Sequence, residues 1–283
     1  QVKNPHAIWY TPVSGIWQTV WLEPVSSKYI SNVVSVADID NKNLKVKVGT
    51  QNTTSSDVVQ IVLKEQNTIV AMTKGVVGET LELALADVKL WSPESPFLYD
   101  LEVTLLDKGK KTDKVKSYAA MRKISMHKDK DGIMRMQLNN KDCFQFGPLD
   151  QGWWPDGLYT APTDEALAYD IEKTKDWGFN MIRKHIKVEP ARWYTHCDRL
   201  GILVWQDMPS GDNSPKWIQY NYFDGKENER SIESEENFKK EWREIMDYLM
   251  PYPSIVVWVR VNEAWGQFKT KEIAEWTEYY DPS

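Results

Sequence analysis

The chain has 283 residues, a formal net charge of −6 and a pI near 5.4, which excludes the basic surface that binding to nucleic acid requires. With 41% hydrophobic and 27% charged residues, it has the composition of a globular protein, and no apolar run reaches the length of a membrane span, so we expect no membrane partner. The two cysteines, Cys143 and Cys197, match no zinc or redox spacing, so we predict buried thiols and no structural metal. No phosphate loop, dinucleotide fingerprint or H-E-x-x-H helix is present, and we expect no cofactor.

The first 26 residues contain two strand-like pieces, around residues 8–10 and 14–23. In both pieces aromatic and β-branched residues alternate with polar ones, which is typical of half-buried strands. They are too short to fold alone. We therefore predict that residues 1–26 are the last strands of a domain that begins earlier.

Residues 27–124 show a different pattern, in which short apolar-polar alternations are separated by turn residues such as Asp40-Asn41 and Lys108-Gly109. Seven strands in about a hundred residues indicate an immunoglobulin-like β-sandwich. No catalytic pattern occurs in this region, so we expect it to support or space the next domain. The predicted strands are 31–39, 44–50, 58–64, 68–73, 81–85, 98–106 and 115–122.

From residue 125 to residue 283, strands alternate with amphipathic helices, which predicts a parallel sheet of β/α units. Four units can be counted, with strands at 143–147, 180–185, 202–207 and 255–263. Thr163 is predicted to cap the first helix, Pro190 to start the second and Gly201 to stop it. A complete (β/α)8 barrel takes eight such units, so this region is predicted to be the first half of a TIM barrel.

Polar residues follow the ends of these strands and would share one rim of the barrel, where such folds place their active sites. Each has a simpler explanation alone, because Arg183 could pair with a carboxylate, His185 could be a core histidine and Asp207 could cap a turn. Neighbouring tryptophans supply apolar faces that stack well on sugar rings. The predicted site comprises Asp150, Arg183, His185, Gln206, Asp207, Asn262 and Glu263, with Trp153, Trp154, Trp205, Trp258 and Trp265 beside them.

Three motifs carry a resemblance to glycoside hydrolase family 2, the β-galactosidase and β-glucuronidase group. The string SGIWQTVWLE at residues 14–23 resembles the close of the family's N-terminal jelly roll. The segment from NMIR at 180–183 to DRLGILV at 198–204 resembles its first barrel signature. The segment from PSIV at 253–256 to Asn262-Glu263 resembles its acid/base signature, although Pro251-Tyr252 and Arg260-Val261 depart from the residues usual there.

The resemblance implies a jelly roll ending near residue 26, an immunoglobulin-like sandwich over 27–124 and half of a catalytic TIM barrel over 125–283. It implies a retaining β-glycosidase that acts on a carbohydrate substrate by double displacement, with Glu263 as the general acid/base. Asn262 would contact the sugar hydroxyl next to the anomeric carbon, and Arg183 would orient the nucleophile. That nucleophile is expected on a later strand, beyond residue 283, so we predict that these residues alone are inactive.

Two other hypotheses remain open from the sequence: a non-catalytic carbohydrate-binding protein, and a purely structural half of a larger assembly. The sheet edges of half a barrel would also favour self-association into a homo-oligomer. The sequence defines neither the sugar nor the compartment, and a secreted or periplasmic location of the full-length protein is compatible with it.

Overall fold

The computed structural model describes residues 4–6, 9–212, 227–262 and 267–281. The chain divides into two compact units. One is formed by Leu22–Gln145 with Met250–Pro253, and we call it the sandwich unit. The other is formed by Phe146–Leu249 and Ser254–Pro282 with the N-terminal residues up to Trp21, and we call it the α/β unit.

The sandwich unit contains two antiparallel sheets, with strand orders β1-β2-β5 and β4-β3-β6-β7. The seven strands predicted from the alternation are confirmed, with ends that shift by a few residues. The strands are β1 Tyr29–Asp38, β2 Asn43–Gln51, β3 Val58–Glu65, β4 Thr68–Val76, β5 Thr80–Ala84, β6 Tyr99–Asp107 and β7 Lys110–Ala119.

The sandwich core follows from this alternation. Along β2, Leu44, Val46 and Val48 are buried while the residues between them face outward, as expected for strands with one covered face. Ile61 and Val103 pair across β3 and β6 at the centre of the other sheet, and both are fully buried. A small antiparallel sheet follows, with β8 Ile124–Lys128, β9 Met134–Leu138 and β10 Lys141–Asp142 in the order β10-β9-β8.

The α/β unit contains a parallel sheet in the order β11-β12-β13-β14, as the β/α pattern predicts. The caps of its helices agree with the sequence signals: Thr163 accepts a hydrogen bond from Ala166 N at 3.1 Å, and Gly201 ends a helix in the left-handed conformation with φ 76°. Its elements are β11 Leu149–Asp150, α1 Asp164–Asp176, β12 Met181–Lys184, α2 Ala191–Leu200, β13 Leu203–Asp207, α3 Ile232–Leu249, β14 Ile255–Val259 and α4 Thr270–Tyr280.

Three local predictions are wrong. The strand predicted at 143–147 is instead the short β11, because Cys143 N bonds to Met136 O beside β9, and Pro148 has no N–H to donate to a ladder. The last strand ends at Val259 rather than at residue 263. The expected start of the second helix also shifts, because Pro190 is its N-cap and Ala191 its first residue.

The strands predicted near the N-terminus are not found either. Between Trp9 and Ser26, the described residues form no strand beyond one isolated bridge that joins His6 to Trp9. The alternation of this segment therefore has no partner strand among the described residues. The two thiols differ as well: Cys197, on α2, is fully buried as predicted, whereas Cys143 is only half-buried.

Candidate carbohydrate site

The site begins with the alternation of side chains along β12. Successive residues of a strand point to opposite faces of the sheet. Arg183 and the following His185 therefore share one face, and both contact Asp207 at the end of β13. Lys184 lies on the other face, with its ammonium 4.2 Å from the ring centroid of Trp193 on α2.

Arg183, His185, Asp207 and Asn262 form a compact group at the carboxyl ends of three neighbouring strands. The guanidinium of Arg183 binds Asp207 through two parallel hydrogen bonds, from Nε to Oδ1 at 3.0 Å and from Nη2 to Oδ2 at 3.1 Å. Nη2 also donates to Asn262 Oδ1 at 3.2 Å. Such bidentate pairs fix geometry as well as charge, so this arginine holds three strand ends in register.

Both carboxylate oxygens of Asp207 take part in this arrangement. Besides the Arg183 bonds, its Oδ2 lies 2.5 Å from His185 Nδ1 and accepts from Ile186 N at 3.4 Å. A carboxylate oxygen can only accept, so His185 Nδ1 carries the proton in this pair. The side chain of Asp207 is 2% exposed. Asp207 is therefore suited to orienting its neighbours rather than to attacking a substrate.

A second group of charges lies on the other side of β12. Lys184 Nζ lies 2.5 Å from Asp150 and 3.0 Å from Glu189 Oε1, and Lys187 Nζ lies 3.0 Å from the same Glu189 oxygen. The two lysines and Glu189 are buried. We call these four residues the lysine–carboxylate cluster.

Burial and pairing act in opposite directions on the cluster. For Asp150, burial favours the neutral form, but the Lys184 ammonium and hydrogen bonds from Lys184 and Gly152 outweigh it, so its pKa lies below the usual value. For Lys184, the two carboxylates outweigh the effect of burial and raise its pKa. Burial dominates at Lys187 and lowers its pKa. Asp150 is thereby kept as a carboxylate paired with a lysine.

A cavity of about 660 Å³ opens beside these groups. Aromatic side chains supply much of its wall, and polar groups from His185, Gln151 and Asn262 reach it at separate points. Apolar pockets with a few convergent polar groups are typical of small-molecule sites. Its lining includes Trp9, Tyr10, Trp17, Gln151, Trp153, Tyr159, His185, Ile186, Pro209 and Asn262.

The N-terminal segment forms part of this wall. The ring of Tyr10 stacks on Trp153 with centroids 4.6 Å apart, and its hydroxyl donates to the Gln151 side chain. Trp17 packs edge-on against Tyr159 at 4.5 Å. Sugar rings stack on such flat aromatic faces through their C–H groups, while their hydroxyls need the polar groups that interrupt the wall.

The predicted site residues do not all meet at this cavity. His185, Asn262 and Trp153 line it, while Arg183 and Asp207 support them. Glu263 and Trp265 lie outside the described residues. The remaining predicted residues do not line the cavity: Asp150 lies in the lysine–carboxylate cluster, Gln206 bonds to Tyr194 and to the Lys187 carbonyl, Trp154 forms a bridge with Leu158, Trp205 lies in register beside Arg183, and Trp258 packs against Trp242.

Trp258 corrects the expectation most clearly. It lies in register beside Gln206, on the face of the sheet opposite Arg183, where its indole packs edge-on against Trp242 at 5.5 Å and donates to Asp281 at 2.7 Å. Residues on one face of a strand are two apart, so Trp258 joins the helix-covered core.

Sequence reasoning missed Tyr10, Trp17, Gln151, Tyr159 and Lys187. The aromatic residues fell in segments interpreted as strands or loops, and nothing local connects the N-terminal segment to residues 151–160. One signal was available for the lysine, because Lys187 and Glu189 are opposite charges two residues apart directly after a buried strand. Buried charges are usually paired.

Metal-ligating clusters and membrane-spanning helices are both absent from the described residues. Within ranges 4–6, 9–212, 227–262 and 267–281, no group of three or more His, Cys, Asp or Glu side chains is arranged to hold a metal ion. None of the helices described there has both the length and the apolarity to cross a membrane.

The fold and cavity are typical of α/β proteins that bind small molecules at the carboxyl ends of parallel strands, and the comparisons with known proteins narrow this class. Residues 22–122 match the profile of Glycosyl hydrolases family 2. A putative β-glucuronidase of Formosa agariphila is 27% identical over 272 residues, which cover 88% of this chain and 29% of that protein. A β-galactosidase of Lactococcus lactis is 24% identical, covering 96% of this chain and 26% of that protein.

Solved structures agree on the fold. A β-D-glucuronidase of Dictyoglomus thermophilum superposes with a TM-score of 0.76 at 20% identity, covering 90% of this chain and 43% of that one. A β-glycosidase of Bacteroides vulgatus gives a TM-score of 0.69 at 22% identity, covering 90% and 33%. The resemblance to glycoside hydrolase family 2 is thereby confirmed by the family profile and by the relatives. The chain spans 29% and 26% of the length of these two curated relatives.

Proposed function

We propose that this chain contributes the sugar-binding wall and the general acid/base of a retaining β-glycosidase. The observation that carries the proposal is the cavity: aromatic faces and the side chains of His185 and Asn262 converge there, and Asn262 directly precedes Glu263 in the chain. The resemblance to glycoside hydrolase family 2 makes glycoside hydrolysis the chemistry that fits this arrangement.

The roles of the polar residues follow from their hydrogen bonds. Asn262 Oδ1 accepts from Arg183, so Nδ2 is the group that Asn262 offers to a sugar hydroxyl. His185 Nδ1 is engaged by Asp207, so Nε2 is the nitrogen it offers to the cavity. Arg183 and Asp207 keep both groups in place. These four residues would bind and orient the sugar.

Bond cleavage itself would fall to Glu263 and a second carboxylate. In double displacement, one carboxylate attacks the anomeric carbon while the acid protonates the leaving oxygen, and the same residue later deprotonates the water. Asp150 and Asp207 are poor candidates for the attacking group, because Lys184 holds the first and Arg183 and His185 hold the second. We therefore propose that the nucleophile lies outside these residues.

The test compares the effect of Glu263→Gln on the hydrolysis rates of substrates with poor and with good leaving groups. It is measured in an active protein that contains this chain. Alkyl β-glycosides need the proton and should lose activity by roughly 10²-fold or more, whereas dinitrophenyl glycosides, whose leaving group is already acidic, should retain cleavage of the glycosidic bond. Glu275→Gln, at an exposed position of α4, is the matched control and should change neither rate. Equal losses on both substrates would contradict the acid/base role.

The saturation of Asp150 and Asp207 also favours a second candidate, a protein that binds carbohydrate without turnover. Glu263→Gln separates the two, because it removes acid catalysis while preserving the size of the side chain. Sugar binding with no detectable turnover before or after the substitution would support the binding protein. Turnover that the substitution removes would support the hydrolase.

A further inference from the structure

The loop that follows β11 carries Gln151, Trp153 and Tyr159 to the cavity wall, yet no β-ladder holds it. Between residues 151 and 162 its only bridge joins Trp154 to Leu158, within the loop itself. Aromatic platforms bind rings well only if their orientation is fixed before binding. The loop therefore needs another anchor.

Lys187 supplies that anchor. Its ammonium donates to the backbone carbonyls of Gly152 at 2.6 Å and of Tyr159 at 2.9 Å, and it pairs with Glu189 Oε1 at 3.0 Å. An ammonium has three N–H donors, so all of them are used. The same nitrogen lies 5.0 Å from the ring centroid of Trp17 and 4.5 Å from that of Tyr159.

Gly152 provides independent evidence that the loop backbone is built against this ion pair. Its φ of 60° lies in the left-handed region, which favours glycine. A Cβ added there would lie 2.1 Å from Glu189 Oε1 and 2.9 Å from Lys187 Nζ. Any side chain would push the loop away from the two charges.

Lys184 shows what a purely structural lysine of the same cluster does. It is equally buried and pairs with Glu189 as well, but its other partner is the Asp150 side chain and its ammonium lies 4.2 Å from the Trp193 ring, on the helix-covered face. Lys184 does not bond to the carbonyls of Gly152 or Tyr159. Its ammonium also makes no contact with the rings of Trp17 and Tyr159. Lys184 therefore reaches the loop only indirectly, through Asp150, which accepts a hydrogen bond from Gly152 N at 2.7 Å, whereas Lys187 binds two loop carbonyls directly.

We propose that Lys187 is a positioning residue, which holds the backbone at Gly152 and Tyr159 so that Trp17, Trp153 and Tyr159 form a preorganised wall for a sugar ring. The choice of a sugar as ligand rests on the proposed function. The positioning of the wall does not depend on it, and the experiment keeps the two apart.

The experiment uses the full chain labelled with 5-fluorotryptophan, whose ¹⁹F resonances report each indole separately. Trp17, Trp153 and Trp193 are assigned through single Trp→Phe variants. Lys187→Met should shift or broaden the Trp17 and Trp153 resonances and leave Trp193 in place, because Glu189 keeps its bond to Lys184. Lys184→Met should change the Trp193 resonance most and those of Trp17 and Trp153 less, because Lys184 reaches the loop only through Asp150.

Gly152→Ala is the second variant, since it displaces the loop without removing a charge. It should change the Trp17 and Trp153 resonances as Lys187→Met does, and it decides the question if Lys187→Met fails to fold. Lys173→Met, an exposed lysine of α1, should alter none of the three resonances. Unchanged Trp17 and Trp153 signals in Lys187→Met, or equal changes at all three indoles in every variant, would overturn the proposal.

Sugar affinity is measured on the same samples by titration with a non-hydrolysable β-thiogalactoside and a β-thioglucuronide. Lys187→Met should weaken whichever sugar binds the unmodified chain by tenfold or more, while Lys173→Met should not. If neither sugar binds the unmodified chain, the proposed function fails for this chain, and the ¹⁹F result alone decides the role of Lys187. Unaltered affinity in a folded Lys187→Met variant would refute the preorganised wall.

Discussion

The sandwich core and the strand ends of the α/β unit bury opposite kinds of residue. The sandwich core consists of aliphatic and aromatic side chains, from Ile30 to Met121, and Asp57 is the one charged residue buried among the described residues of that unit. The α/β unit buries Lys184, Lys187, Glu189 and Asp207 within a few residues of one another. Burying charges costs free energy that pairing only partly repays. Several charges retained together at such a cost point to a constraint beyond stability, whereas the sandwich core is explained mainly by packing.

The sharpest way to test this difference is Arg183→Met. It would leave the Asp207 carboxylate, whose side chain is 2% exposed, without its two guanidinium bonds. Removing one partner of a buried pair costs about 3–5 kcal/mol. We expect a loss of that size in the free energy of unfolding of the α/β unit, measured by urea titration with hydrogen exchange at β12 and β13.

The double variant Arg183→Met, Asp207→Leu is the control, since it removes both charges. It should recover much of the lost stability but none of the sugar binding, if charge is kept there for function. Full recovery of sugar binding in the double variant would contradict a functional role for these buried charges.

Truncation of the sandwich core should have a slightly smaller effect and no functional consequence. Leu63 on β3 is fully buried, and Leu63→Ala should cost about 2–5 kcal/mol through lost transfer free energy and a cavity. Ile69→Ala, at a position of β4 that is 56% exposed, is the matched control and should change stability by less than about 0.5 kcal/mol. If Leu63→Ala lowered sugar affinity in proportion to the loss of stability, the sandwich core and the sugar site would not be independent.

Acid should reveal the few charges on which the sandwich unit does depend. Hydrogen bonds from Lys28 and from the backbone of Thr54 lower the pKa of Asp57 to about 2 from its usual 3.8. A carboxylate with a lowered folded-state pKa stabilises the fold above its unfolded value, and this contribution is lost as the pH falls from about 4 through 2. Asp57→Asn should therefore flatten the acid-induced loss of sandwich stability, measured by hydrogen exchange at β3.

Lys28→Met should flatten that pH dependence in the same way, and combining it with Asp57→Asn should add little more. Glu102, whose pKa is also lowered to about 2 by Lys64 and Lys114, should account for much of the remaining dependence. Independent, additive effects of Lys28→Met and Asp57→Asn would rule out this pairing.

The elements that the sequence predicted well depend on local rules. Alternation defined the seven sandwich strands, and the Thr163 cap and the left-handed Gly201 follow from the chemistry of single residues. The strand ends that carry Arg183, His185, Asp207 and Asn262 were also predicted, because the ends of parallel strands share one edge of a sheet.

The parts that could not be predicted depend on long-range contacts. Nothing near Tyr10 in the sequence indicates that its ring stacks on Trp153, and the alternation around residues 14–23 suggested strands that the described residues do not form. The role of Lys187 could be predicted only if one knew that the carbonyls of Gly152 and Tyr159 lie within reach of its ammonium. To place Trp258, one would have to know which face of the sheet its side chain joins. The pairing of β13 with β14 shifts by one residue at Trp205, and such a shift moves every following side chain to the other face.

The two cysteines differ in burial and lie in different units, so their rates of labelling report which unit opens. Half-buried Cys143 belongs to the sandwich unit, whereas Cys197 is a fully buried residue of α2 in the α/β unit. Burial raises the pKa of both thiols, and for Cys197 it does so strongly, so the reactive thiolate is scarce in the native state. A maleimide should therefore label Cys143 first and Cys197 only when α2 leaves the sheet. Peptide mass spectrometry then reads the opening of each unit without an introduced probe.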